Sequence, residues 1–415
     1  MSHKPMAVLA AAAAIATVAA GCSSSSTSSA TSSDSSAPAP GRTYTIGVLT
    51  DLTGLAASTE RSVPLGIKAG VGAAAEDGYR IKYVVADAAT SPTGALTAAQ
   101  KLVDQDHVFA VIALSALTFS AADFLTSRGV PVVGAAIDGP EWLTAKNMFS
   151  IDGTEDFTKV YDVAGKFYKM EGVTNLAALG YGITPSSALS TKDTAASAET
   201  SGIKVGYLNA NFPFGSTNVG PAAIAIKDAG SNGLYSGVET NTAFALITAL
   251  RQAGAHMKAA LLPIGYGGDL LEAGPAAQRD AQGVYFTVAY EPAEMHTTAT
   301  ERLQAALRKY ARVTTDPTFN EYLAYVSVDG FVTGLKAAGV NPTPSSFIAA
   351  MPTITNYNAA GLYGSHSISF AMSQRGRTVG ADNCEWITRF SGTSFHLVAG
   401  ADPICGSLIP GKVVS

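Results

Sequence analysis

From Tyr44 onward the chain repeats one pattern: a short apolar run rich in β-branched residues, a turn, then an alanine-rich stretch whose apolar positions fall at helical spacing. The apolar runs predict strands over 44–50, 81–87, 108–114, 130–136, 176–181, 205–209, 233–238, 259–264 and 283–289. Several are almost continuously apolar, as strands covered on both faces are. Between two of them Ser91 supplies a capping hydroxyl, Pro92 suits a first helical turn, and Leu96, Ala99, Leu102 and Val103 share one face, which predicts a helix over 92–105. Stretches 157–170, 219–229, 243–253, 298–310 and 322–338 read the same way. Alternating strands and helices make an α/β fold of doubly wound parallel sheets. The strands fall into two sets, before Ser150 and after Asn175, each large enough for its own sheet. Two such lobes leave a cleft between them, and ligands gather at the carboxyl ends of parallel strands.

A length of 415 residues fits two lobes better than one domain. Apolar runs within the body are strand-length and fall short of the roughly 20 residues that span a bilayer. A net charge of −5, with no Lys/Arg cluster, gives nucleic acid no basic face, so none is expected as a partner. Six scattered histidines show no metal-ligand spacing, and neither a metal nor a cofactor is expected. The chain lacks G-x-S-x-G, H-E-x-x-H and phosphate-loop patterns, and Leu270 stands where the third glycine of a dinucleotide loop beginning at Gly265 belongs. A non-enzyme is expected, with an exported hydrolase assembled from distant residues as the rival.

The N-terminus sets the compartment. Lys4, the alanine-rich apolar stretch 6–20 and the small residues Ala19, Ala20 and Gly21 before Cys22 read as a signal segment, 1–21. The small residues before Cys22 resemble a bacterial lipobox, with Ala19 where leucine is usual, and imply a lipid on that thiol. The Ser-rich stretch 22–42 has nothing to bury and reads as a tether of roughly 25 Å reach. The expected location is therefore the outer face of a cell membrane. Cys384 and Cys405, in an oxidising environment, are expected to form a disulfide, with two buried free thiols as the alternative.

The loops at the strand ends carry a resemblance. Ile46 to Gly54, Val111 to Thr118, Arg128 to Ala136, and Leu262 to Gly267 after Ala253-Gly254 follow in the order of the branched-chain amino-acid-binding family of type I periplasmic binding proteins. Each motif is weak alone; their order and spacing resemble that family over most of 44–400. The resemblance implies two lobes joined by a hinge, one of 43–155 plus 288–352 and the other of 156–287 plus 353–415. It implies a monomer that closes on a small solute and presents the closed form to an ABC permease. A sensor that signals to a receptor would use the same lobes.

It also implies ligand contacts at Thr53, Gly54, Ser115, Ala116, Ala136, Ile137, Asp138, Tyr181 and Tyr266. Ser115 stands where the family receives a ligand carboxylate. Ile137 departs from the family's threonine, and Tyr266 stands near the place of an acid that pairs with an ammonium group. These mouth loops contain no Lys or Arg, so the expected solute is neutral, zwitterionic or a monocarboxylate, such as an amino acid or related compound.

Overall fold

The computed structural model describes residues 42–378 and 380–415. Segment 1–21, Cys22 and the tether up to Gly41 lie outside the described residues. Two large sheets frame the body. The first holds β1 (Thr43–Thr50), β2 (Arg80–Asp87), β3 (Ala110–Ala113), β4 (Val132–Gly134) and β5 (Met148–Ser150), all parallel in the order β2-β1-β3-β4-β5. After the short β6 (Lys159–Tyr161), the second sheet takes β7 (Asn175–Tyr181), β8 (Lys204–Phe212), β9 (Gly233–Gly237), β10 (Ala259–Leu262) and β11 (Tyr285–Val288), parallel in the order β8-β7-β9-β10-β11. Antiparallel strands β12 (Cys384–Ser391) and β13 (Ser394–Leu397) extend it beyond β11. β14 (Ile404–Cys405) runs along β12, and β15 (Leu408–Val413) pairs with β6.

Each parallel sheet reverses its winding once. The first turns between β1 and β3, the second between β7 and β9. Such switch points open a crevice at the carboxyl ends of the two strands. The chain leaves the first sheet after β5, packs the helix Phe319–Ala337 back against that lobe after β11, and goes to the second sheet at β12. Two lobes built this way belong to the α/β class, with antiparallel strands at one edge of an otherwise parallel sheet.

Burial explains the strands. Ile46, Val48, Leu49, Ile112 and Val133 have no exposed surface, and fully burying such a side chain contributes about 1.5–3 kcal/mol. The helix Phe319–Ala337 opens with a capping box: Thr318 Oγ1 accepts from Glu321 N at 3.1 Å, and Thr318 N donates to Glu321 Oε2 at 3.0 Å. It packs on the helix Val63–Glu76, whose Gly66 and Gly70 let the two backbones approach. A Cβ on Gly66 would stand 2.6 Å from the Glu321 carbonyl oxygen. Ser91 caps the helix Pro92–Gln100 as expected, accepting from Gly94 N at 3.0 Å.

Three expectations change. The stretch 157–170 is not helical from its start: Lys159 and Tyr161 pair with β15, and the helix covers Val163–Met170. The partner strand lies at the far end of the chain, which a local pattern does not see. Second, helices Val63–Glu76 and Pro185–Thr200 were not expected, because one is broken by glycines and the other mixes Ser and Thr through its buried face. Third, β12 to β15 follow the last expected strand. The open alternative for the cysteines closes: Cys384 and Cys405 are bonded, tying β12 to β14. Among the described residues no helix is long and apolar enough to cross a membrane.

Candidate functional site

The two switch points face one another across a cavity of about 290 Å³. The first lobe contributes the loops after β1, β3 and β4, through Thr59 and Glu60, Ala116, and Ala136 with Ile137. Loops after β7, β9 and β10 answer from the second lobe with Tyr181, Glu239 and Pro263. From this cleft the cavity continues beneath the second sheet, where Phe167, Asp193, Tyr235 and Glu385 line it.

Direct bonds join the lobes around the cavity. Thr59 and Thr240 share a hydroxyl bond of 2.9 Å, and Thr240 N donates to Thr59 Oγ1 at 3.2 Å. On the other side Ser186 Oγ donates to the Ile137 carbonyl at 2.6 Å, and Ser186 N to that of Asp138 at 3.2 Å. The structure is therefore a closed arrangement of the lobes.

Four of the expected site residues line the cavity: Ala116, Ala136, Ile137 and Tyr181. Tyr181 is fixed at its hydroxyl, which donates to Thr242 Oγ1 at 2.8 Å and accepts from Glu239 N at 3.1 Å. Its ring meets Phe214 edge-on with centroids 4.6 Å apart, giving the cleft an aromatic wall.

The other five are placed behind or beside it. Thr53 is exposed and bonds Asp87 at 2.7 Å. Gly54 takes a φ of +89°, and a Cβ there would stand 2.6 Å from the Ala89 carbonyl oxygen, so glycine is needed to pass the loop. Asp138 turns inward to accept from Phe119 N at 2.6 Å and Trp142 Nε1 at 3.0 Å, capping the helix Phe119–Ser127. Burial pushes Asp138 and neighbouring Glu141 upward together, with the charge of Asp138 adding to the rise of Glu141. Tyr266 donates to Glu294 Oε2 at 2.6 Å and accepts from Ala293 N at 2.9 Å, fastening β10's loop to the segment that returns toward the first lobe.

Ser115 has no exposed surface, and its Oγ donates to Asp51 Oδ2 at 2.9 Å. The Ala116 N–H donates to the same oxygen at 2.9 Å, and Thr90 N binds Oδ1 at 2.8 Å. The Ser115 hydroxyl expected to receive a ligand carboxylate thus already holds one, supplied by the chain itself. Burial raises Asp51 against these three donors.

Sequence reading missed the acids. Glu60 and Glu239 are 2% and 6% exposed and flank the cleft, with Asp152, Glu155, Asp193 and Glu385 farther along the cavity wall. Burial pushes Glu239 and Glu385 to about 7, Asp193 to about 8 and Asp152 to about 6. Glu60 rises well above its ordinary value, through burial and then through the charges of Asp51 and Glu239. Among the described residues lining the cavity none is Lys, Arg or His. Glu60 ends the short helix Ala57–Glu60 after β1 and Glu239 follows β9 directly, so a place just beyond a strand's carboxyl end is the signal that could have found them. Asp193 and Glu385 sit inside a helix and a strand, where only the folded arrangement turns them toward the cavity.

The comparisons agree with this architecture. A family model described as periplasmic binding protein matches residues 43–390. Among solved structures, a leucine-binding protein LivK from Thermotoga maritima is similar with a TM-score of 0.72 at 18% identity, over 87% of this chain and 99% of that one. A solute-binding protein of an ABC transporter from R. palustris, in complex with 4-hydroxybenzoate, gives 0.70 at 18% identity, over 88% and 97%. Another from R. palustris, in complex with benzoate, gives 0.70 at 15% identity, over 90% and 99%. No curated protein matches the sequence significantly.

Proposed function

Since the chain belongs to the type I periplasmic binding proteins of the branched-chain amino-acid family, we propose that it is the extracytoplasmic solute-binding subunit of an ABC importer. It captures one small organic solute, an amino acid or related compound, by closing two lobes around it. The observation that carries this reading is the cavity of about 290 Å³ between facing switch points, with lobe-to-lobe bonds around it. That volume suits a compact solute. Structural neighbours complexed with benzoate and 4-hydroxybenzoate take ligands of comparable size on the same fold.

In this reading Ala116, Ala136, Ile137 and Tyr181 contact the solute. Ser115, Asp138, Thr53, Gly54 and Tyr266 hold the loops that present them. Cys22 carries a lipid, the tether lets the body turn toward membrane permease subunits, and the body works as a monomer. Closure by a hinge is driven by the solute's preference for the closed form.

The test is a thermal-shift screen of the protein against amino acids, amides, short carboxylates, aromatic acids and amines, followed by small-angle scattering. One class is expected to raise Tm by several degrees, because a ligand of the native state stabilises by mass action, and to reduce the radius of gyration. A panel without a single shift would overturn the reading.

A further inference from the structure

The cavity carries a charge problem that the family resemblance does not explain. Glu60 ends a short helix after β1, and Glu239 caps the helix after β9, so the two acids stand at the switch points of opposite lobes. Both are almost fully buried, and both border the cavity. Thr59 lies against the Glu239 carboxylate, but Glu239 Oε2 has no hydrogen-bond partner among the described residues. A buried carboxylate oxygen left unsatisfied is costly, and a site that retains one is built to meet a donor from elsewhere. Burial pushes both acids up, the sign of a site without counter-charge of its own.

Two further observations set the sign of what enters. The donors at Ser115 and Ala116 are filled by Asp51, which leaves a ligand carboxylate without its place and adds a third acid behind the pair. Among the described lining residues no cation is available to balance them. The cavity acids do not converge to the spacing of metal ligands. The described cluster with that spacing is His366 with Cys384 and Cys405, and its two cysteines are already bonded to each other. The wall between the acids is instead hydrocarbon and aromatic, through Tyr181 and Phe214. An aromatic face beside paired acids attracts an ammonium group on an apolar stem.

We infer that the solute is an organic amine, bound as its ammonium ion between Glu60 and Glu239 with its hydrocarbon part against Tyr181 and Phe214. This rests on the solute-binding reading and narrows it. It replaces the neutral, zwitterionic or monocarboxylate solute expected from the mouth loops with a cation. Asp193 and Glu385, deeper in the same cavity, give a second ammonium a place, so a diamine is the appropriate probe.

Isothermal titration of the protein with 1,5-diaminopentane, with leucine and benzoate as comparisons, tests it. The diamine is expected to bind, and Glu239→Gln to weaken it at least tenfold while keeping a cooperative melt. Glu60→Gln should act in the same direction, and it serves if the first variant fails to fold. Leucine or benzoate binding without the diamine would overturn the inference and leave the solute-binding reading standing. Diamine affinity unchanged in both variants would overturn it as well. Silence from the diamine and from every compound of the wider screen would remove both.

Discussion

Ser115 shows how far a residue's place differs from its role. It stands at the end of β3, where a short donor facing the cleft makes sense, yet its hydroxyl is spent on Asp51. Nothing local announces this, because Asp51 comes from the end of β1 and meets Ser115 only when β1 and β3 pair. Replacing Ser115 with Ala should therefore be felt in the ligand-free protein. Loss of a hydrogen bond to a buried carboxylate costs ~1.5–3 kcal/mol, which urea denaturation without any solute would measure. An unchanged midpoint without solute, coupled to weaker solute binding, would return Ser115 to direct ligand contact.

At the scale of elements, the strands at 108–114 and 259–264 were legible because strands buried on both faces are apolar throughout. The helix Val63–Glu76 was not, since Gly66, Gly70 and Gly72 argue locally against a helix. Its glycines are used by tertiary packing: Gly66 and Gly70 admit the helix Phe319–Ala337, and Gly72 admits the Tyr310 ring. Gly66→Ala would raise helix propensity yet press a methyl within 2.7 Å of Ala324 Cβ. The expected outcome is a destabilisation of about 1–3 kcal/mol by chemical denaturation. A stabilised variant would show that the two helices can separate without cost.

At the scale of the whole molecule, the cavity gathers several of the acids that burial pushes upward. An acid whose pKa is raised on folding binds more protons in the native state than in the unfolded one between its two pKa values. Its favourable contribution is complete below the unfolded value near 4 and fades as pH climbs through the folded value. With Asp152 at about 6, Glu239 and Glu385 at about 7 and Asp193 at about 8, Tm of the ligand-free protein should fall by several degrees from pH 5 to pH 8. Glu385→Gln should flatten that profile, since the amide carries no charge at any of these pH values. A Tm that climbs over the same range in the unsubstituted protein would contradict the burial of these acids.

The sequence by itself determined the α/β alternation and the two sets of strands, because strand burial and helix periodicity are written at local spacing, and the order of its strand-end motifs carried the resemblance to the family. It also located the cleft as the meeting place of strand-end loops, bringing Ala116, Ala136, Ile137 and Tyr181 into view. Tertiary structure alone decided the character of that cleft. Which oxygens remain free depends on pairings between residues far apart in the chain, such as Asp51 with Ser115 and Thr59 with Thr240. The electrostatic sign of the cavity depends on acids from two helices, a strand and the turn after β9, which only the folded chain brings to one cavity wall.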